Sequence, residues 1–63
     1  MSFKNNLHYL REKRGLTQEE LAKLLYVTQA TISQYENGTQ FPPPMKLRQI
    51  ADFFKIKEND LVK

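Results

Sequence analysis

Leu16-Thr17-Gln18-Glu19-Glu20-Leu21-Ala22-Lys23-Leu24-Leu25-Tyr26-Val27-Thr28-Gln29-Ala30-Thr31-Ile32-Ser33-Gln34-Tyr35-Glu36-Asn37-Gly38 holds two helix starts and a helix stop. Thr17 can accept a hydrogen bond from the Glu20 amide while the Glu20 carboxylate reaches back to the Thr17 amide. Each side chain then satisfies a backbone donor that a helix start otherwise leaves unpaired. Leu16 and Leu21 flank the pair as a hydrophobic staple. Thr28 repeats half of the design, with Val27 set to meet Ile32 but no acid at the third helical position. The helix that follows is expected from Gln29 to about Asn37, where Gly38 accepts the left-handed backbone of a helix stop. Only Tyr26, Val27 and Thr28 lie between the two helices. So short a link forces a steep reversal and a large interhelix angle, the geometry of a helix-turn-helix.

Working outward, Phe3, Leu7 and Leu10 recur at helical spacing behind Ser2, a candidate N-cap, and Gly15 stands where a left-handed stop is needed. This predicts a first helix from Phe3 to Arg14. On the other side, Thr39-Gln40-Phe41-Pro42-Pro43-Pro44 cannot be helical before its last proline, which suits a first helical position because no amide is required there. A helix over Pro44 to Phe54 puts Leu47, Ile50, Ala51 and Phe54 on one face, and a last turn from Glu58 to Leu61 follows, weakly capped by Lys57. The expected fold is all-α, a compact four- to five-helix bundle with a central helix-turn-helix, in one domain over residues 1–63.

Composition excludes several functions. A chain of 63 residues buries only about 60% of its unfolded surface and leaves no room for a deep catalytic cleft. It has no cysteine, hence neither a disulfide framework nor a thiolate zinc site. Neither a signal peptide nor a membrane span is expected, because the apolar runs are only a few residues long and no basic region precedes an apolar run at the N-terminus, so a cytoplasmic location is expected. His8 is the only histidine, and its sequence neighbours Asn5, Asn6, Arg11 and Glu12 provide neither a nucleophile nor a metal set. Glu19 and Glu20 are adjacent, and adjacent helical positions do not face each other. The expectation is therefore a non-enzyme with no cofactor or metal. A net charge of +3 suits a polyanionic partner and equally suits an ordinary basic surface.

The helix beginning at Gln29 carries the functional signal. A rotation of about 100° per residue puts Ile32 and Tyr35 on one side and Gln29, Ala30, Ser33, Gln34 and Asn37 on the other. A merely solvated face in a chain this charged would carry Lys and Glu. Gln, Ser and Asn instead both donate and accept, as base edges require, and a glutamine amide can bond adenine N6 and N7 together. Gln18 opens the preceding helix, where free amides and the positive dipole end favour a phosphate oxygen.

These residues resemble the Cro and CI-type helix-turn-helix domain of phage repressors and of the xenobiotic-response-element group of bacterial regulators. The match runs over Leu10-Arg11-Glu12-Lys13-Arg14-Gly15-Leu16-Thr17-Gln18-Glu19-Glu20-Leu21-Ala22, then Val27 to Gly38, then Leu47 with Ile50-Ala51. The resemblance implies a lambda-repressor-like fold and double-stranded DNA as partner. It implies base contacts from Gln29, Ala30, Ser33 and Gln34, and phosphate contacts from Gln18, Thr28, Asn37 and Thr39. Arg11 and Glu36 correspond to a structural salt bridge joining the first helix to the end of the third. The implied activity is transcriptional regulation, as a repressor binding a pseudo-palindromic operator as a homodimer, with helix 5 and the end of helix 4 as the expected seam.

The sequence departs from the family pattern at identifiable points. Tyr26 stands in the turn where glycine is common, and Pro43 replaces the usual serine cap before helix 4. The chain ends shortly after helix 5, so any signal is expected to arrive through a partner or through expression level. The rival reading is an antitoxin or mobile-element regulator whose main role is to bind a protein such as a toxin or an anti-repressor, using large residues such as Tyr9, Phe41, Phe53 and Val62.

Overall fold

The computed structural model describes residues 2–63 and contains five helices: α1 Phe3–Lys13, α2 Gln18–Leu24, α3 Gln29–Asn37, α4 Pro44–Phe54 and α5 Glu58–Val62. Both threonine caps form. Thr17 Oγ1 accepts from the Glu20 amide at 3.0 Å, and Glu20 Oε1 accepts from the Thr17 amide at 2.8 Å. Thr28 Oγ1 accepts from the Thr31 amide at 3.1 Å and lies 2.9 Å from the Thr31 hydroxyl, which stands where an acid would complete the box. Ser2 occupies the cap position of α1, but its hydroxyl makes no cap bond. The first helix stops at Lys13, one residue before the expected end, because Arg14 already closes the turn ahead of Gly15. Pro44 is the first residue of α4, and α5 runs one residue past Leu61.

One stop recurs at the ends of α1 to α4. In each, a residue with positive φ closes a pair of nested backbone bonds: Gly15 with Leu16, Tyr26 with Val27, Gly38 with Thr39, and Lys55 with Ile56. At the corner between α2 and α3, the Val27 amide donates to the Ala22 carbonyl at 3.0 Å and the Tyr26 amide to Lys23 at 3.3 Å. The short link turns so sharply because this motif consumes it. Tyr26 pays for that geometry with φ 60, while the residue is 84% exposed. A left-handed backbone costs a residue with a β-carbon about 1–2 kcal/mol, part of which glycine would return as unfolded-state entropy. Tyr26→Gly is therefore expected to raise stability by about 0.5–1 kcal/mol and the thermal midpoint by a few degrees. A lower midpoint would show that the exposed ring packs after all.

All five helices feed one core. Leu7, Leu21, Leu25, Ile32, Ile50 and Leu61 are fully buried, with Phe3, Ala22, Tyr35, Ala51 and Phe54 closing around them. Polar ties hold the helix ends. Asn6 Nδ2 donates to the carbonyls of Leu61 at 2.8 Å and Lys63 at 3.2 Å, satisfying the end of α5. Lys46 Nζ donates to the Leu25 carbonyl at 2.8 Å and to Gln49 Oε1 at 2.6 Å, seating α4 against the end of α2. Arg14 lays its guanidinium 5.3 Å from the Phe53 ring centre and 5.2 Å from that of Phe54. Among the described residues no helix is long and apolar enough to cross a membrane.

Candidate nucleic-acid interface

Helix α3 is held by one side and presents the other. Ile32 and Tyr35 are 0% and 4% exposed, while Gln29, Ala30, Gln34 and Asn37 are open to solvent and Ser33 is half-buried. Tyr35 is clamped from outside by Phe3, whose ring meets it edge-on at 6.0 Å and meets Phe41 at 5.0 Å. These contacts fix the rotation of α3 about its axis. The open face carries no charge.

Thr28 and Thr39 stand at opposite ends of that face and differ in what they can offer. Thr28 Oγ1 accepts from the Thr31 amide, and when the Thr31 hydroxyl is the donor of their 2.9 Å bond, Thr28 keeps its own hydrogen to donate outward. Thr39 turns its hydroxyl inward to the Gln34 carbonyl at 3.3 Å, and its amide donates to the same oxygen at 3.0 Å. A phosphate contact from Thr39 therefore requires its hydroxyl to rotate. Asn37 is exposed beside it.

Below the face lies a polar cluster that links three helices. Arg11 Nε donates to Glu36 Oε2 at 2.7 Å and Nη2 to Oε1 at 3.0 Å, a two-pronged pair, while Nη1 donates to the Leu16 carbonyl at 2.7 Å. Their side chains are 11% and 5% exposed. Gln18 Nε2 donates to Glu36 Oε1 at 3.2 Å, which ties the start of α2 to the last turn of α3 and leaves one amide hydrogen free. His8 Nδ1 lies 3.0 Å from Glu36 Oε1 and Nε2 lies 3.0 Å from Glu12 Oε1, so each ring nitrogen faces a carboxylate. Burial pushes the Glu36 carboxyl up, but the bonds from Arg11, His8 and Gln18 outweigh burial and hold it below the ordinary carboxylate value. The bond from Glu36 raises the Arg11 guanidinium. His8 has no sequence signal for this role, because its carboxylate partner on α3 is distant along the chain. Among the described residues no cluster of three His, Cys, Asp or Glu side chains could hold a metal.

The helix-turn-helix family model matches residues 7–61. The chain belongs to this Cro/CI-type family. A helix-turn-helix transcriptional regulator of Methanocaldococcus jannaschii is 46% identical over 59 residues, covering 92% of this chain and 88% of its own length. The transcriptional activator BcrR of Enterococcus faecalis is 39% identical over 62 residues, which is 98% of this chain but 30% of BcrR. The chain thus spans less than a third of that relative. The P22 c2 repressor protein, at 22% identity, superimposes with a TM-score of 0.92 over 100% of this chain and 96% of its own. That likeness establishes the lambda-repressor-like fold. Within the matched span, α2 and α3 are the two helices joined by the short corner.

Proposed function

We propose that the chain is the sequence-specific DNA-binding module of a cytoplasmic transcriptional regulator, with α3 lying in the major groove. The observation that carries this reading is the exposed, uncharged face of α3, locked in rotation by buried Ile32 and Tyr35. Gln29, Ala30, Ser33 and Gln34 meet base edges. Gln29 bonds an adenine through both amide atoms, and Ala30 offers a methyl to a thymine methyl. Gln18, Thr28, Asn37 and Thr39 meet phosphates, which fix orientation without carrying sequence information. Gln18 uses its remaining amide hydrogen for this, so one side chain touches both the backbone of the duplex and the Glu36 clamp.

A single small module buries only about 600–1,000 Å² on DNA, so useful affinity calls for two copies on a pseudo-palindromic operator, their α3 helices about one helical turn apart. Occupancy of a promoter by that pair represses it. Selection of bound duplexes from a random pool tests the reading. A two-fold symmetric consensus with half-sites about 10 base pairs apart is expected. Enrichment of no sequence, or binding that ignores sequence, overturns it.

A further inference from the structure

The residues assigned to the duplex are all uncharged, yet binding to DNA draws its sequence-independent affinity from cations that displace condensed counterions. Five of the ten lysines and arginines are already engaged. Arg11 is held by Glu36, Arg14 lies against Phe53 and Phe54, Lys46 caps α2, and Arg48 and Lys63 face Asp52 and Asp60. Lys4 is different. It is exposed, and among the described residues it has no carboxylate partner and no acid in its own turn of α1. Its side chain lies over Gly38, between Asn37 and Thr39: a β-carbon placed on Gly38 would meet Lys4 Cδ at 2.9 Å, Nζ at 3.6 Å and Cε at 3.7 Å. The neighbouring Phe3, packed on Tyr35 and Phe41, anchors the first turn of α1 at this end of α3.

We propose that Lys4 is a phosphate-binding residue, its ammonium laid across Gly38 to meet the duplex backbone at the C-terminal end of α3. Gly38 serves two purposes here. It supplies the left-handed stop at φ +80, and its missing side chain lets the lysine stem cross the loop. The assignment rests on the reading of α3 as the groove-facing helix.

The test is a salt titration of DNA binding by the whole chain, read by fluorescence anisotropy on a labelled duplex. Each phosphate neutralised steepens the fall of log affinity with log salt by about 0.9. Lys4→Gln keeps the stem and removes the charge. Its slope is expected to be shallower by about 0.9 per bound copy, so a fourfold rise in salt costs it about 3.5-fold less affinity than wild type, on every sequence alike. Lys4→Arg restores the slope. Lys57→Gln, at the start of α5, removes the same formal charge and is expected to leave the slope unchanged. An unchanged slope in Lys4→Gln, or an equal change in Lys57→Gln, overturns the role of Lys4 while leaving the reading of α3 intact. Failure of the wild-type chain to bind any duplex overturns both.

Discussion

Truncating Glu36 to alanine is expected to lower the free energy of unfolding by about 3–5 kcal/mol. The loss comes from stranding a charge. Arg11 is 11% exposed as a side chain and would keep only the Leu16 carbonyl and the His8 ring as polar company. A domain of this kind holds about 5–15 kcal/mol in total, so thermal melts should shift down on the order of 20 °C. Arg11→Ala should cost a similar amount, since it strips the fork from a buried carboxylate and leaves the Leu16 carbonyl unpaired. Replacing both, with Arg11→Met and Glu36→Leu, should recover most of the loss, because no unpaired charge remains. A loss below about 1 kcal/mol in Glu36→Ala, the range of exposed pairs, would contradict the buried-pair account. Full stability of Arg11→Ala with selective loss of DNA would move Arg11 to the duplex.

The same cluster predicts an acid limb. Glu36 has a lower pKa folded than unfolded, so its contribution is fully present above the unfolded carboxylate value and is lost as pH falls through the folded one. Stability against urea measured from neutral to acid pH should fall more steeply in wild type than in the Arg11→Met, Glu36→Leu double variant. Equal slopes would mean that Glu36 titrates alike in both states.

Gln29→Ala is expected to relax specificity at one operator position, by about 1–3 kcal/mol or roughly 5- to 150-fold, while binding to unrelated sequences stays nearly intact. The side chain is exposed and, among the described residues, makes no internal bond that its loss would disturb. Measuring affinity for the selected operator and for each of its single-base variants separates the outcomes. Equal weakening on every sequence would assign Gln29 to the backbone. This pattern is the converse of the one expected for Lys4→Gln, so the pair of variants distinguishes reading from holding.

The helix order was legible because its signals are local. Thr17 with Glu20, Thr28, Pro44, and the glycines at positions 15 and 38 each act within a few residues, and the observed helices begin or end at or beside them. Ser2 takes the expected cap position with extended backbone, but its hydroxyl makes no cap bond. The stop at Tyr26 showed only as a departure from the family's glycine, and the stop at Lys55 left little trace, because a left-handed residue with a β-carbon is imposed by the packing of the next element rather than chosen by its own propensity. The open face of α3 was readable from helical spacing, which fixes which residues share a side.

Contacts across the fold were a different matter. Gln18 reads as an ordinary helix-start residue until α3 brings Glu36 within reach, and His8 gains its place only when α1 and α3 pack. Lys4 is an unremarkable surface lysine in the chain, and becomes a neighbour of Gly38 because Phe3 docks on Tyr35. Periodicity and capping chemistry alone dictated where helices start, where glycine stops them and which side chains face out, since those are properties of neighbouring backbone groups. Which charge lies beside which loop was left to the docking of helices far apart in the chain, because an ion pair or a cation's reach depends on distances that no local rule sets.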